Sequence, residues 1–153
     1  MLNFENRRDP RSNLSINPNA CRVPLIPILR SESDQADYSQ SFTLPLSEIS
    51  RELATIIGKK LTAYIGHAKD TRTVDCWISG GEADEDAEQR LRFAYHVVKI
   101  VREQESPKVV QAWLIGMNPE LDDRVMIRML REEPLDTAVP FILGAARAFA
   151  ACV

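Results

Sequence analysis

The sequence predicts an all-α protein, and three observations carry that expectation. Apolar residues recur at three- and four-residue spacing in one segment after another beyond residue 44. Signals that start and stop helices separate those segments at short intervals, and no segment alternates convincingly as a half-buried strand does.

The elements follow in order. Ser47 can cap a first helix whose residues Ile49, Leu53, Ile56 and Ile57 recur at helical spacing before Gly58 ends it. Lys59 and Lys60 lead into a second short helix through Leu61, Ala63, Tyr64 and Ile65, with residues 66–70 as its turn. A third helix is expected over residues 71–79, with Val74, Trp77 and Ile78 inward and Gly80-Gly81 as the stop. Three short helices in this order suggest a helix-turn-helix unit over residues 44–81, although the turn counted from Ile65 to Val74 is one residue longer than the strict motif.

The acidic stretch 82–88 suits a helix N-terminus, and Ala87, Leu91, Ala94, Tyr95, Val98 and Val101 then mark one face of the longest helix, ending by Glu105. Ser106-Pro107 starts the next, with Val109, Val110, Trp113 and Leu114 as its stripe and Gly116 as its end. After the break at Asn118-Pro119, Asp122 or Asp123 can cap a short helix through Met126, Ile127 and Leu130 that Pro134 closes. The last helix covers residues 135–150 and contains Pro140, which either begins its regular part or kinks it.

Residues 1–43 are rich in Asn, Ser, Pro, Asp and Arg and read as a mobile N-terminal segment. Their apolar run, Val23-Pro24-Leu25-Ile26-Pro27-Ile28-Leu29, is broken by two prolines and reads as an extended piece resting on the body of the protein, with a partner-binding tag as the alternative. At 153 residues the chain suffices for one ordinary core or two very small ones. No apolar run reaches the ~18 residues of a membrane span, and the first ten residues do not resemble a secretory signal, so a cytoplasmic protein without a membrane partner is expected. Cys21, Cys76 and Cys152 are too scattered for a disulfide framework or a zinc site and are read as thiols. A net charge of -3 restricts any DNA contact to a local face.

Chemistry is hard to find. His67 and His96 stand at no ligand spacing, and no phosphate loop, nucleophile elbow or catalytic carboxylate pair is visible, so no catalytic residue, metal or cofactor is expected. The candidate DNA contacts are Lys69, Thr71, Arg72 and Thr73, polar groups at the start of the third helix, where recognition helices meet base edges and phosphates. Asp75 opposes that reading by repelling phosphate, and leaves open a structural three-helix module that touches no DNA. Trp113 is expected in the core rather than as an exposed anchor.

From Leu61 onward the chain resembles the Xre/MbcA/ParS toxin-binding antitoxin family, whose members neutralise RES-domain toxins. The resemblance rests on Leu61-Thr62-Ala63-Tyr64-Ile65, Asp70-Thr71-Arg72-Thr73-Val74 to Trp77, and Gln89-Arg90-Leu91-Arg92-Phe93-Ala94-Tyr95. The most specific stretch is Ala112-Trp113-Leu114-Ile115-Gly116-Met117-Asn118-Pro119-Glu120-Leu121-Asp122-Asp123, and Ala145-Ala146-Arg147-Ala148-Phe149 is similar to the family ending. It implies an Xre-like helix-turn-helix module over residues 44–81 and a helical toxin-binding domain over residues 82–153. It further implies a homodimer, repression of its own operon, and occlusion of an NAD-degrading RES toxin. The partner-binding residues it points to are Asn118, Pro119, Leu121, Arg147 and Phe149. The chain departs from the pattern at His67-Ala68, where Gly-Val is expected, which bears on operator binding, and at Glu133-Pro134, where Glu-Gly is expected, which bears on the direction of the last helix. A stand-alone helix-turn-helix regulator without a toxin is the competing reading.

Overall fold

The computed structural model describes Ser39 and residues 43–152, so nearly all of the N-terminal segment, with its apolar run and Cys21, lies outside the described residues. The described chain is mostly helical, with α1 (Leu46–Ile56), α2 (Lys59–Ile65), α3 (Thr71–Ile78), α4 (Glu85–Arg102) and α5 (Pro107–Ile115) in succession. A small antiparallel hairpin follows, made of β1 (Met117–Asn118), a 3-10 turn (Pro119–Leu121) and β2 (Arg124–Val125), before α6 (Met126–Glu132) and α7 (Leu135–Ala151).

Local chemistry accounts for most boundaries, including two that the sequence reading placed differently. Ser47 does not cap α1. Pro45 sits just ahead of the helix with an extended backbone, its carbonyl accepts from the amides of Glu48 and Ile49, and Ser47 falls inside the first turn. Ser106 does cap α5, accepting from the Val109 amide, with Pro107 at the first helical position. Gly80, at φ 96, closes α3 in a conformation that L side chains rarely adopt. The expected aspartate cap of α6 is absent: Asp122 and Asp123 are both left-handed, at φ 55 and 58, and build the hairpin turn, so α6 starts only after Val125. Pro140 lies within α7, five residues after its start, and removes the N–H that would bond to Asp136.

α4 is the axis of the fold. It packs against α1, α2, α5, α6 and α7, and between Arg90 and Val98 nearly every side chain is buried. The face expected from Ala87, Leu91, Ala94, Tyr95, Val98 and Val101 is buried as predicted, and Phe93, Val97 and His96, which is 1% exposed, widen it. One hydrophobic cluster runs from Ile49 to Ala146, so the segments on either side of residue 81 share a single core. Polar clips cross the same seam. Tyr95 donates to Glu52, Gln111 to the Ile56 carbonyl and Arg92 to the Leu44 carbonyl.

The end of α6 depends on α4. Its terminal carbonyls have no partner within the helix, and Arg90, 8% exposed, reaches them: one guanidinium nitrogen donates to Leu130 O at 2.5 Å and to Glu133 O at 3.0 Å. The Arg90 Nε donates to Asp86 at 2.7 Å, and that bond holds the Asp86 carboxyl below its ordinary value. Arg90→Ala removes these bonds and strands two carbonyls; a loss of about 3 kcal/mol is expected, since a bond to a charged group contributes ~1.5–3 kcal/mol. Urea unfolding measures it, and an unchanged midpoint would show that α6 finds its cap elsewhere.

Candidate functional site

Two surfaces hold the residues singled out by sequence. The first is the start of α3. Asp70 takes the N-cap position with an extended backbone, and its Oδ1 accepts from the amides of Arg72 at 3.0 Å and Thr73 at 3.2 Å. The Thr73 hydroxyl also donates to this oxygen, so it serves the cap. Lys69 and Arg72 are exposed and Thr71 is half-buried, which leaves the two cations as the outward groups of the four. Asp75 pairs with Lys59 at 2.5 Å, so its charge does not stand alone beside them.

The turn before α3 is held from below and from the side. Gly66 lies against the buried Trp77, and a Cβ there would come within 2.5 Å of the indole ring. His67 adopts φ 55, so a histidine holds a backbone conformation that suits glycine. Its Nε2 donates to Arg131 O at 2.9 Å, which gives the left-handed residue a partner. Arg131 in turn donates to the Tyr64 carbonyl and lies over the Tyr64 ring at 4.4 Å. Turn and α6 thus grip each other.

The second surface is the hairpin with the neighbouring part of α7. Met117 pairs with Val125 and Asn118 with Arg124. Asn118 is buried, and its side-chain oxygen accepts from the Glu120 amide while its carbonyl accepts from the Asp123 amide. Leu121 is buried as well, so these two residues build the turn, and Pro119 is the exposed member of the expected set there. Arg147 and Phe149 are half-buried on α7, away from the turn in sequence. Phe149 packs on Trp113 with ring centroids 5.8 Å apart. Trp113 is itself only half-buried, so the expectation of a core position holds for Leu114 but places Trp113 too deep.

Among the described residues the exposed large apolar groups are ones the sequence reading did not choose as site residues: Met117 at 74%, Ile115 at 55% and Phe141 at 53%. Each falls off the buried phase of its element, Ile115 one residue beyond Leu114 and Phe141 one before Ile142, which is the signal that could have found them. Arg124 joins the group, with its guanidinium 6.0 Å from the Phe141 ring centroid while it donates to Leu121 O and Glu133. Beside the hairpin an open groove of about 400 Å³ is lined by Met117, Val125 and Met129 and by Asp123, Arg124 and Arg128. Among the described residues no group of His, Cys, Asp and Glu could hold a metal ion, and no helix is long and apolar enough to cross a membrane.

Gly66→Ala tests the packing of the turn. The methyl group must displace a buried indole, and overpacking of this kind costs ~1–3 kcal/mol, read as a lower urea midpoint with altered near-ultraviolet tryptophan signal. A stable variant with an unchanged tryptophan signal would contradict the close approach. No family model, no curated protein and no solved structure matches this chain.

Proposed function

We propose that the chain is the antitoxin of a type II toxin–antitoxin pair, binding and occluding a RES-domain, NAD-degrading toxin through residues 107–153. The observation that carries this reading is the exposure of Ile115 and Met117, both inside the stretch 112–123 on which the family resemblance chiefly rests. Large apolar side chains left in water next to one another are characteristic of interaction surfaces. Phe141 and Arg124 supply an aromatic and an arginine in the same neighbourhood, the residue types that most often dominate interface energies. Antitoxin action of this kind needs no catalytic group, since occlusion works by covering another protein's site.

Operator binding by a homodimer belongs to the same proposal. In it, α2, the turn and α3 act as a helix-turn-helix unit, with Lys69 and Arg72 exposed at the start of α3 toward DNA and Thr71 and Thr73 beside them. These exposed cations also favour the second reading, a regulator of the same fold with no toxin partner.

Co-expression with a RES-domain protein encoded beside this gene separates the two readings, with growth and cellular NAD as readouts. Wild type is expected to restore both, and Met117→Asp combined with Phe141→Asp to lose the rescue while remaining folded, because both side chains already face water. Equal rescue by this variant would overturn the proposed surface. Absence of rescue by wild type, together with promoter binding that Arg72→Ala abolishes in an anisotropy titration, would favour the regulator.

A further inference from the structure

We infer that the hairpin and α7 surface takes a basic, apolar-cored segment of a protein partner, with a large apolar side chain of that segment seated at Met117 and Phe141 and an arginine or lysine against Asp122 and Asp123. The inference rests on the reading of this surface as a docking site, and adds the chemistry of the element that docks. The apolar part is Met117 and Phe141, both exposed, with Ile115 two residues before Met117. Arg124 connects them, since it lines the same groove as Met117 and its guanidinium lies 6.0 Å from the Phe141 ring centroid. The acidic part adjoins it: Asp123 lines the groove with Met117, and Glu120 and Asp122 are exposed on the turn that carries Asp123.

Charge selects the occupant. Arg124 pairs with Glu133 and Arg128 with Glu132, and Arg131 is taken up by the carbonyl and ring of Tyr64, so each cation of the hairpin and α6 has a partner within the chain. Glu120, Asp122 and Asp123 form no ion pair with the described residues. An exposed apolar patch beside uncompensated carboxylates repels the phosphates of nucleic acid and of anionic lipid alike, and speeds encounter with a cationic protein surface. A purely polar cation would leave Met117 and Phe141 in water. An arginine next to a leucine or phenylalanine covers both parts at once, and such anchors carry most of the energy of protein interfaces. Asp122 and Asp123 are both left-handed, at φ 55 and 58, so the two carboxylates stand on a fixed turn and less freedom is lost when they pair.

Two synthetic peptides test the inference, each with a leucine–phenylalanine core, one flanked by arginines and the other by glutamates, titrated into the isotope-labelled full chain. The arginine-flanked peptide is expected to shift the amide signals of Met117, Asp123 and Phe141, to leave those of Ile49 and Val74 in place, and to bind more weakly as salt is raised. The glutamate-flanked peptide is expected to shift none of them. Asp122→Asn with Asp123→Asn keeps a residue type that tolerates the left-handed turn, and is expected to weaken the arginine-flanked peptide on the order of fivefold, as loss of two exposed ion pairs does. Equal binding of the two peptides at this face would overturn the cationic preference while leaving the docking surface of the proposed function standing. Shifts centred on another face, or no shifts with either peptide, would overturn the inference whatever the rescue experiment gives. Shifts of the same amides with protein concentration alone would overturn it too, by showing that a second copy of the chain takes the surface.

Discussion

Arg90 is the constraint on which the arrangement of the second half of the chain depends. α6 is only seven residues long, ends in extended backbone at Glu133 and meets Pro134 at once; the Glu133 amide caps the Met129 carbonyl, and the Leu130 carbonyl is reached from outside the helix. Arg90 supplies the missing donors from the central helix, and Asp86 one turn earlier orients its Nε. A short helix of this kind is marginal by itself. Fixed at its end, it carries the hairpin on one side and presents Arg131 to the turn before α3 on the other, where His67 donates to the Arg131 carbonyl. Arg90 thus ties the central helix to α6, which contacts both candidate surfaces.

The residues at positions 67 and 134 have a physical account in these contacts. At position 67 a glycine would take φ 55 without strain; histidine takes it with a hydrogen bond across to α6 that glycine could not make. The turn thereby exchanges local freedom for a tether to the second half of the chain. Pro134 immediately precedes α7, and its fixed backbone suits the change from α6 to α7 across only two linking residues, Glu133 and Pro134.

The helices were legible because their signals are local. Gly58, Gly80, Ser106-Pro107 and Pro134 act through their own backbone, and the stripes of α1, α4 and α5 repeat often enough to show a phase. The hairpin was not. Strands of two residues carry no periodicity, and the pair Asp122-Asp123 satisfies the composition of a helix cap as well as that of a left-handed turn. Exposure was hidden for a related reason: in Trp113-Leu114-Ile115-Gly116-Met117 an apolar residue stands on nearly every side, and only the packing of α5 decides that Leu114 is inside and Ile115 is out. Arg90 was hidden most completely. Its partners are carbonyls forty residues further along the chain, which have no sequence signature.

A partner held on the hairpin and α7 surface is the central proposal, and hydrogen exchange of the full chain with and without a candidate RES-domain partner tests it most directly. Amides of the hairpin turn and of α7 around Phe141 and Phe149 are expected to slow on binding, while those at the start of α3 around Arg72 keep their free rates. Unchanged exchange throughout, or protection confined to the start of α3, would contradict the account.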